Sequence, residues 1–381
     1  MNIKISLGIF LFVLSLHAQQ LTVTVTNPAS FDRALETIEV PWSEVQTALS
    51  LAEPSTVMVF ENDKQLVCQA LDSNGDKTPD LLLFQATFKQ GEEKKFVVKQ
   101  HGVQKEAEVV SIAKFMVPRE DVAWENDRIA YRIYGSKLAG DVYSGLDVLV
   151  KRVRYPVLEK WYEMNTWEGD KKVSYHEDHG EGADFFTVGK TLGGGGCALW
   201  RNDSMYISGL FTSHKIVASG PVRAMFSVTY TNSLNGKPFT EEKTYTLDAG
   251  QNFNRIEVKY SGLENEGAEQ VAVGLVKRKN TSFYSDEKQG WFSLCGLAND
   301  DSLNGNLETG VVLQPALFQT MKETDAHYLM IAATSPDKRL TYYAGGGWTR
   351  SGDFPTDDGW LAYVSQFSHR LKYPLVITTM K

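Results

Sequence analysis

From residue 21 onward, apolar and polar residues trade places with a period near two. LTVTVTN (21–27), VMVFEND (57–63) and KKFVVKQHG (94–102) carry the pattern, as does part of AEVVSIA (107–113). It returns in RIAYRIYG (128–135), LDVLVKRVRY (146–155), MYISGLF (205–211), AMFSVTYTN (224–232), KTYTLDAG (243–250), NRIEVKYSG (254–262), QVAVGLV (270–276) and YLMIAAT (328–334). Alternate residues of a strand face opposite ways, so these segments predict strands, and the Asn, Asp and Gly at their ends predict turns. Helical spacing is confined to PWSEVQTALSL (41–51), one short helix. The chain reads as all-β.

Proline and a change of charge in MVPREDVAWEND (116–127) mark a junction. A small β-sandwich over 19–115 is expected before a large antiparallel β-sandwich over 116–381. Within the latter, ASGPVRAMFSVTYT (218–231) and EEKTYTLDAGQNFNRIEVKYSG (241–262) predict a long meander, which resembles the large sandwiches of the galactose-mutarotase-like superfamily.

The chain has 381 residues, 42% of them apolar and 23% charged, enough for a sizeable core and an ordinary surface. Lys and Arg number 39 against 47 Asp and Glu, a net charge of −8. Such a chain has no general attraction to nucleic acid or to an anionic membrane. Residues 1–18 hold Lys4, an apolar run from Ile5 to Leu16, and Ala18. This is a signal-peptide pattern, too short for a comfortable span, and it implies a periplasmic or secreted protein. Cys68, Cys197 and Cys295 are odd in number and far apart, so they imply neither a disulfide framework nor a zinc knuckle.

Several stretches carry candidate chemistry. Asp72, Asn74, Asp76 and Asp80 in DSNGDKTPD have the spacing of a loop wrapped round a hard cation such as calcium, though ordinary turn chemistry explains the same residues. In WENDRIAYRIYG, alternation puts Arg128 and Arg132 on one face, either a surface ladder paired with acids or a binding face. Arg152 and Arg154 are two apart, so a strand would present both guanidinium groups together, a geometry suited to carboxylate or sulfate. Trp161, Tyr162 and Trp167 follow them as stacking surfaces or core.

The densest stretch is YHEDHGEGADFF (175–186). Its glycines predict a loop. His176 and His179 with Glu181 or Asp184 form a candidate set for a divalent cation. Equally, either imidazole serves as a base or acid held in its tautomer by a neighbouring carboxylate. The run GGGG (193–196) is no phosphate loop, because its Lys precedes the glycines; it implies close approach of the backbone to a ligand or another strand. YYAGGGWTRSGDFPTDDGWLAYV (342–364), with Trp348 and Arg350, is expected to be a mobile aromatic loop beside a site. His214 and His327 stand alone and read as structural.

WENDRIAYRIYG, LDVLVKRVRYPVLEKWY, YHEDHGEGADFFTVGKTLGGGG and GGGWTRSGDF, in that order, resemble a secreted family long labelled as of unknown function. It is encoded beside polysaccharide lyases in marine and gut bacteria of the Bacteroidetes type. The likeness is to its ulvan oligosaccharide dehydratase branch and covers nearly all of the chain after the leader. It implies removal of water across C4 and C5 of a glucuronic or iduronic acid at the non-reducing end, leaving an unsaturated uronate. The partner implied is an anionic, uronate-containing oligosaccharide.

That chemistry has three requirements: a cation to neutralise the sugar carboxylate, a base for the C5 proton, and an acid for the departing C4 oxygen. By residue type and proximity in sequence, Arg152 and Arg154 are candidates to clamp the carboxylate or a sulfate, with Trp161, Trp348 and Arg350 as further substrate contacts. His176 or His179 is the base. Tyr175, Tyr162 or the other histidine is the acid, and Glu177, Glu181 and Asp184 orient an imidazole or help hold a cation. A lyase or glycoside hydrolase on the same fold, and a non-catalytic sugar-binding protein, are the competing readings.

Overall fold

Leu21, Val23 and Val25 point one way from the strand Gln20–Thr26 into an apolar core, and the threonines between them are half-buried. The computed structural model describes residues 19–50, 53–100, 107–117, 119–164, 173–263 and 267–381. The leader expected at 1–18 lies outside them, as does Trp167.

The small sandwich pairs a five-stranded sheet with a three-stranded one, Arg33–Pro41, Leu81–Phe88 and Cys68–Leu71. The helix Trp42–Leu49 fills its edge with Trp42, Val45 and Leu49, as the spacing in 41–51 predicts. The five-stranded sheet is not built from the N-terminal segment alone. Its edge strand is Val376–Met380, antiparallel to Gln20–Thr26. The last residues of the stretch assigned to the large domain therefore return to the small one.

The large sandwich has an eight-stranded antiparallel sheet over two five-stranded sheets. Its longest hairpin, Arg223–Leu234 with Lys237–Asp248, turns at Asn235–Gly236, both at positive φ (52° and 77°). That two-residue turn matches the twist of a hairpin. Trp124, Tyr131, Phe226, Tyr245 and Phe292 are among the residues that fill the space between the layers.

The glycine run meets another strand. A Cβ on Gly195 would lie 2.3 Å from the Ala344 side chain, so only glycine lets these two strands approach. Residues 342–364 are not the single loop expected there. Arg339–Trp348 is a strand inside the large sheet, and Asp357–Lys372 is a helix with Thr356 as its cap. Trp360 and Val364 seat that helix on the outer face of the sheet. Among the described residues, no helix is long and apolar enough to cross a membrane.

Candidate active site

Two ion pairs lie on the same outer face of one five-stranded sheet, where strands Asp121–Glu125, Ile129–Ile133 and Asp147–Lys151 are buried throughout. At one end Arg132 sits across from Asp147, donating from Nε and Nη2 to Asp147 Oδ2 at 2.9 and 2.6 Å. At the other end Lys151 Nζ donates to Glu125 Oε2 at 2.6 Å. Ala123, Ala130 and Leu149 separate the pairs, and the short helix Leu158–Met164 covers them with Leu158, Trp161 and Tyr162. Glu125 also accepts the amide of Leu158 at 2.8 Å, tying that cover to the sheet.

The Arg132 end is the richer. Its Nη2 donates to Asp184 Oδ2 at 2.7 Å and its Nη1 to the Tyr175 hydroxyl at 2.9 Å. Tyr134 donates to Asp147 Oδ2 at 2.6 Å, and Tyr162 donates to Asp121 Oδ2 at 3.0 Å. A buried charge survives only when paired and hydrogen-bonded. Burial works against the Arg132 cation, but Tyr134, Asp147 and Asp184 around it outweigh that and hold its pKa well above the ordinary arginine value. Asp184 is pushed up to about 7 by its own burial and then by the charge of Asp147, with Arg132 opposing. Asp184 Oδ1 is buried with no hydrogen-bond partner.

His176 stands at the edge of this cluster. Its Nδ1 is 3.0 Å from the main-chain oxygen of Asp184 and 3.5 Å from Asp184 Oδ2. A proton on Nδ1 satisfies that carbonyl, which assigns Nε2 as the basic nitrogen. The ring lies 4.5 Å from that of Tyr175, and the side chain is 48% exposed, so it is reachable from solvent. Partial burial lowers its pKa from 6.5, the bond to the Asp184 carbonyl opposes this, and the Arg132 and Arg119 charges add to the lowering. His176 is therefore neutral at neutral pH.

The loop is held from below. Asp178 Oδ1 accepts the amides of Gly180 and Gly182 at 2.9 and 3.0 Å, and Oδ2 accepts from Arg152 at 2.9 Å. Gly182 has φ +120°, and a Cβ there would lie 2.0 Å from the Val150 oxygen, so the position admits glycine alone.

The structure separates the remaining candidates. His179 leaves the cluster, with Nε2 3.1 Å from the Ser174 oxygen. Tyr162 is deep in the fold and bonded to Asp121. Arg152 and Arg154 lie beyond the end of their strand and do not form one clamp: Arg152 goes to Asp178, Arg154 to Asp353 at 2.9 Å. Arg350 instead stands near Arg152, 3.9 Å from Asp178 Oδ2, and both guanidinium groups lie 5.7 Å from the Trp348 ring. Trp161 and Trp348 are buried and offer no open face to a sugar. Arg128 pairs with Asp353 while Arg132 is interior, so the two are not a surface ladder.

Neither expected cation site is assembled. Glu181 is taken by Lys160 at 2.8 Å and by the Tyr155 hydroxyl at 2.8 Å, while Asp184 faces Arg132. In 72–80, Asp72 accepts the amides of Gly75 and Lys77, Asp76 that of Thr78, and Asp80 that of Ser73, and Asn74 Oδ1 accepts the amide of Asp76. These oxygens close a turn on the loop's own N–H groups. Among the described residues, no three His, Cys, Asp or Glu side chains converge as a metal set.

A family profile described as a domain of unknown function, DUF4861, matches residues 25–377. The chain belongs to the DUF4861 family. It is 33% identical over 376 residues to "Uncharacterized protein P7" of Formosa agariphila, covering 93% of this chain and 92% of that one. A solved structure of a protein in the glycosyl hydrolase family 38 from Enterococcus faecalis aligns at TM-score 0.49 and 10% identity. That alignment covers 95% of this DUF4861 chain and 48% of the other, so the chain spans about half the length of that protein.

Sequence reasoning missed the centre of the DUF4861 site. Arg132 reads as a surface residue of an alternating strand, and Asp147 as a strand end. The available signal was a charged residue within each of two strands whose other residues are mostly apolar on both faces. Arg119 was also passed over; this half-buried guanidinium lowers the pKa of His176, Asp184, Tyr175 and Asp121 by its charge. Together these groups supply a neutral imidazole, a phenol fixed by an arginine, and a positive field around both.

Proposed function

We propose that this DUF4861 chain is an exported carbon–oxygen lyase, a dehydratase that removes water across C4 and C5 of a uronic acid at the non-reducing end of ulvan-type oligosaccharides. One observation carries the reading: His176 is held by Nδ1 on the Asp184 carbonyl, beside an arginine-bound tyrosine, with the ring half open to solvent.

In this reading His176 Nε2 takes the C5 proton. The electron pair left on C5 forms the C4–C5 double bond, and the C4–O bond breaks. The imidazolium gives that proton to the departing oxygen, so that water leaves rather than hydroxide and the imidazole is neutral again. Tyr175, buried and bonded to Arg132, backs the imidazole ring and does not reach substrate. The sugar carboxylate must be neutralised for the C5 proton to be acidic, and Arg119 is the cation whose field already covers His176 and Tyr175. Arg132 fixes Tyr175 and Asp184 and is too deep to meet substrate. In this reading Arg152 and Arg350, side by side at Asp178, meet an acidic group on the next sugar.

A glycosidase needs two carboxylates flanking the bond. Asp147 and Asp184 both face Arg132 and are closed to solvent, which argues against that use. Incubation with a saturated uronate-ended oligosaccharide separates the readings by mass. Dehydration removes one water from an unbroken chain. Hydrolysis adds one water across two pieces, a lyase shortens the chain, and a binding protein leaves it unchanged.

A further inference from the structure

A cavity of about 560 Å³ opens between the two sandwiches, far in sequence from His176 and sharing no lining residue with its cluster. Its walls come from the strands Arg33–Pro41 and Val376–Met380, four strands of the large sheet, and the end of the helix Asp357–Lys372. We propose that it is a second binding site, which holds an acidic saccharide without turning it over.

The charge points to an anion. Four arginines line the cavity, Arg33, Arg223, Arg255 and Arg370, against Glu36, Glu39 and Asp248, in a chain whose net charge is −8. Arg223 takes both Glu39 and Asp248, at 2.7 and 2.6 Å. Arg33 donates from Nε to Asn27 at 2.9 Å and from Nη2 to the Tyr373 carbonyl, and stands 3.7 Å from Glu36; Arg370 stands 3.2 Å from Glu36 and donates to Gln366 at 3.3 Å. The Arg370 side chain is only 10% exposed, and its Nε is buried with no hydrogen-bond partner. Arg255 reaches Glu257, which lies outside the lining. The unpartnered Nε of Arg370, with the half-exposed Arg255 guanidinium at the rim, leaves donors that a carboxylate or sulfate satisfies.

The shape points to a sugar. Tyr343 and Phe367 meet edge to face at 5.1 Å, and Phe253 packs on Phe367 at 4.9 Å, giving an apolar wall beside the arginines. The volume is within the range of about 300–1,000 Å³ usual for small-molecule sites, ample for one or two rings. The choice of a saccharide rests on the reading of the active site; the anionic character rests on the arginines alone. Because its walls belong to both sandwiches, a bound ligand also braces their contact.

The test is calorimetric titration of the full chain carrying His176→Ala, which prevents turnover, with a uronate-ended disaccharide, a neutral disaccharide and sodium sulfate as separate probes. The acidic disaccharide is expected to bind, and Arg255→Gln and Arg370→Gln each weaken that binding at least tenfold. On the wild-type background the same two substitutions leave turnover of short substrates unchanged. Equal affinity for the neutral disaccharide, binding of sulfate alone, or affinities untouched by both substitutions overturn the proposal. If the cavity binds while the wild-type chain dehydrates nothing, the second site stands and the catalytic reading falls.

Discussion

His176 Nδ1 lies 3.0 Å from the main-chain oxygen of Asp184, whose carboxylate is in turn 2.7 Å from Arg132 Nη2. One acidic residue thus sets the tautomer of the surface imidazole with its backbone and anchors the buried guanidinium with its side chain. The catalytic reading depends on that double attachment.

The pH dependence follows from it. A base acts only when unprotonated, so activity is lost as pH falls through the His176 pKa. Burial and the neighbouring arginines place that pKa below 6.5. The acid limb of kcat/KM is expected to have its midpoint below pH 6.5, with more than half of the maximal rate retained at that pH. A midpoint above 6.5 contradicts the assignment.

The two histidines are expected to separate. His179 bonds the Ser174 oxygen and takes no part in the cluster, so His179→Ala keeps activity within about threefold of wild type. His176→Ala removes the group that serves as base and then as acid, and general acid–base catalysis is typically worth about 10²–10⁴-fold. Steady-state rates on circular-dichroism-verified protein check both. The reverse order of effects removes His176 from the mechanism.

Arg132→Met is expected to destabilise the fold. It strands Asp147 and Asp184 in the interior, and breaking a buried pair from one side costs about 3–5 kcal/mol. Urea unfolding measures the loss. A change under about 1 kcal/mol shows that the cluster does not hold this region together.

Glu308 is fully buried on the sheet face beneath the helix Asp357–Lys372, with neither carboxyl oxygen hydrogen-bonded. Burial, and then the charge of Asp357, raise its pKa from 4.5 to about 9. The folded state therefore binds a proton that the unfolded chain has already released. This stabilisation is complete below pH 4.5 and is lost as pH rises toward 9. Glu308→Gln is expected to raise the free energy of unfolding at pH 8, on the order of a few kcal/mol, with little effect at pH 4. An equal shift at both values contradicts a protonated Glu308.

Much of the fold was legible. The meander from Arg223 to Ser261 follows the period-two pattern closely, since one face of it is core, whereas the strand at Gln270–Val276 is buried on both faces. The helix Asp357–Lys372 was hidden by the glycines and aromatics before it, although Thr356, two acids in the first turn, and Trp360, Val364, Phe367 and Leu371 at helical spacing mark it. The return of Val376–Met380 to the first strand could not be read, because strand pairing across the whole chain leaves no local trace. The loop 175–186 was recognised as the dense stretch, and His176, Tyr175 and Asp184 do meet. Their partner Arg132 was not, because a sequence shows a charge without showing that it is buried.

The most direct measurement is the absorbance of an unsaturated uronate, followed over time with a saturated uronate-ended oligosaccharide and two proteins, wild type and folded His176→Ala. The account predicts a steady rise with wild type and none with the variant. No rise with wild type, or an equal rise with both, contradicts it.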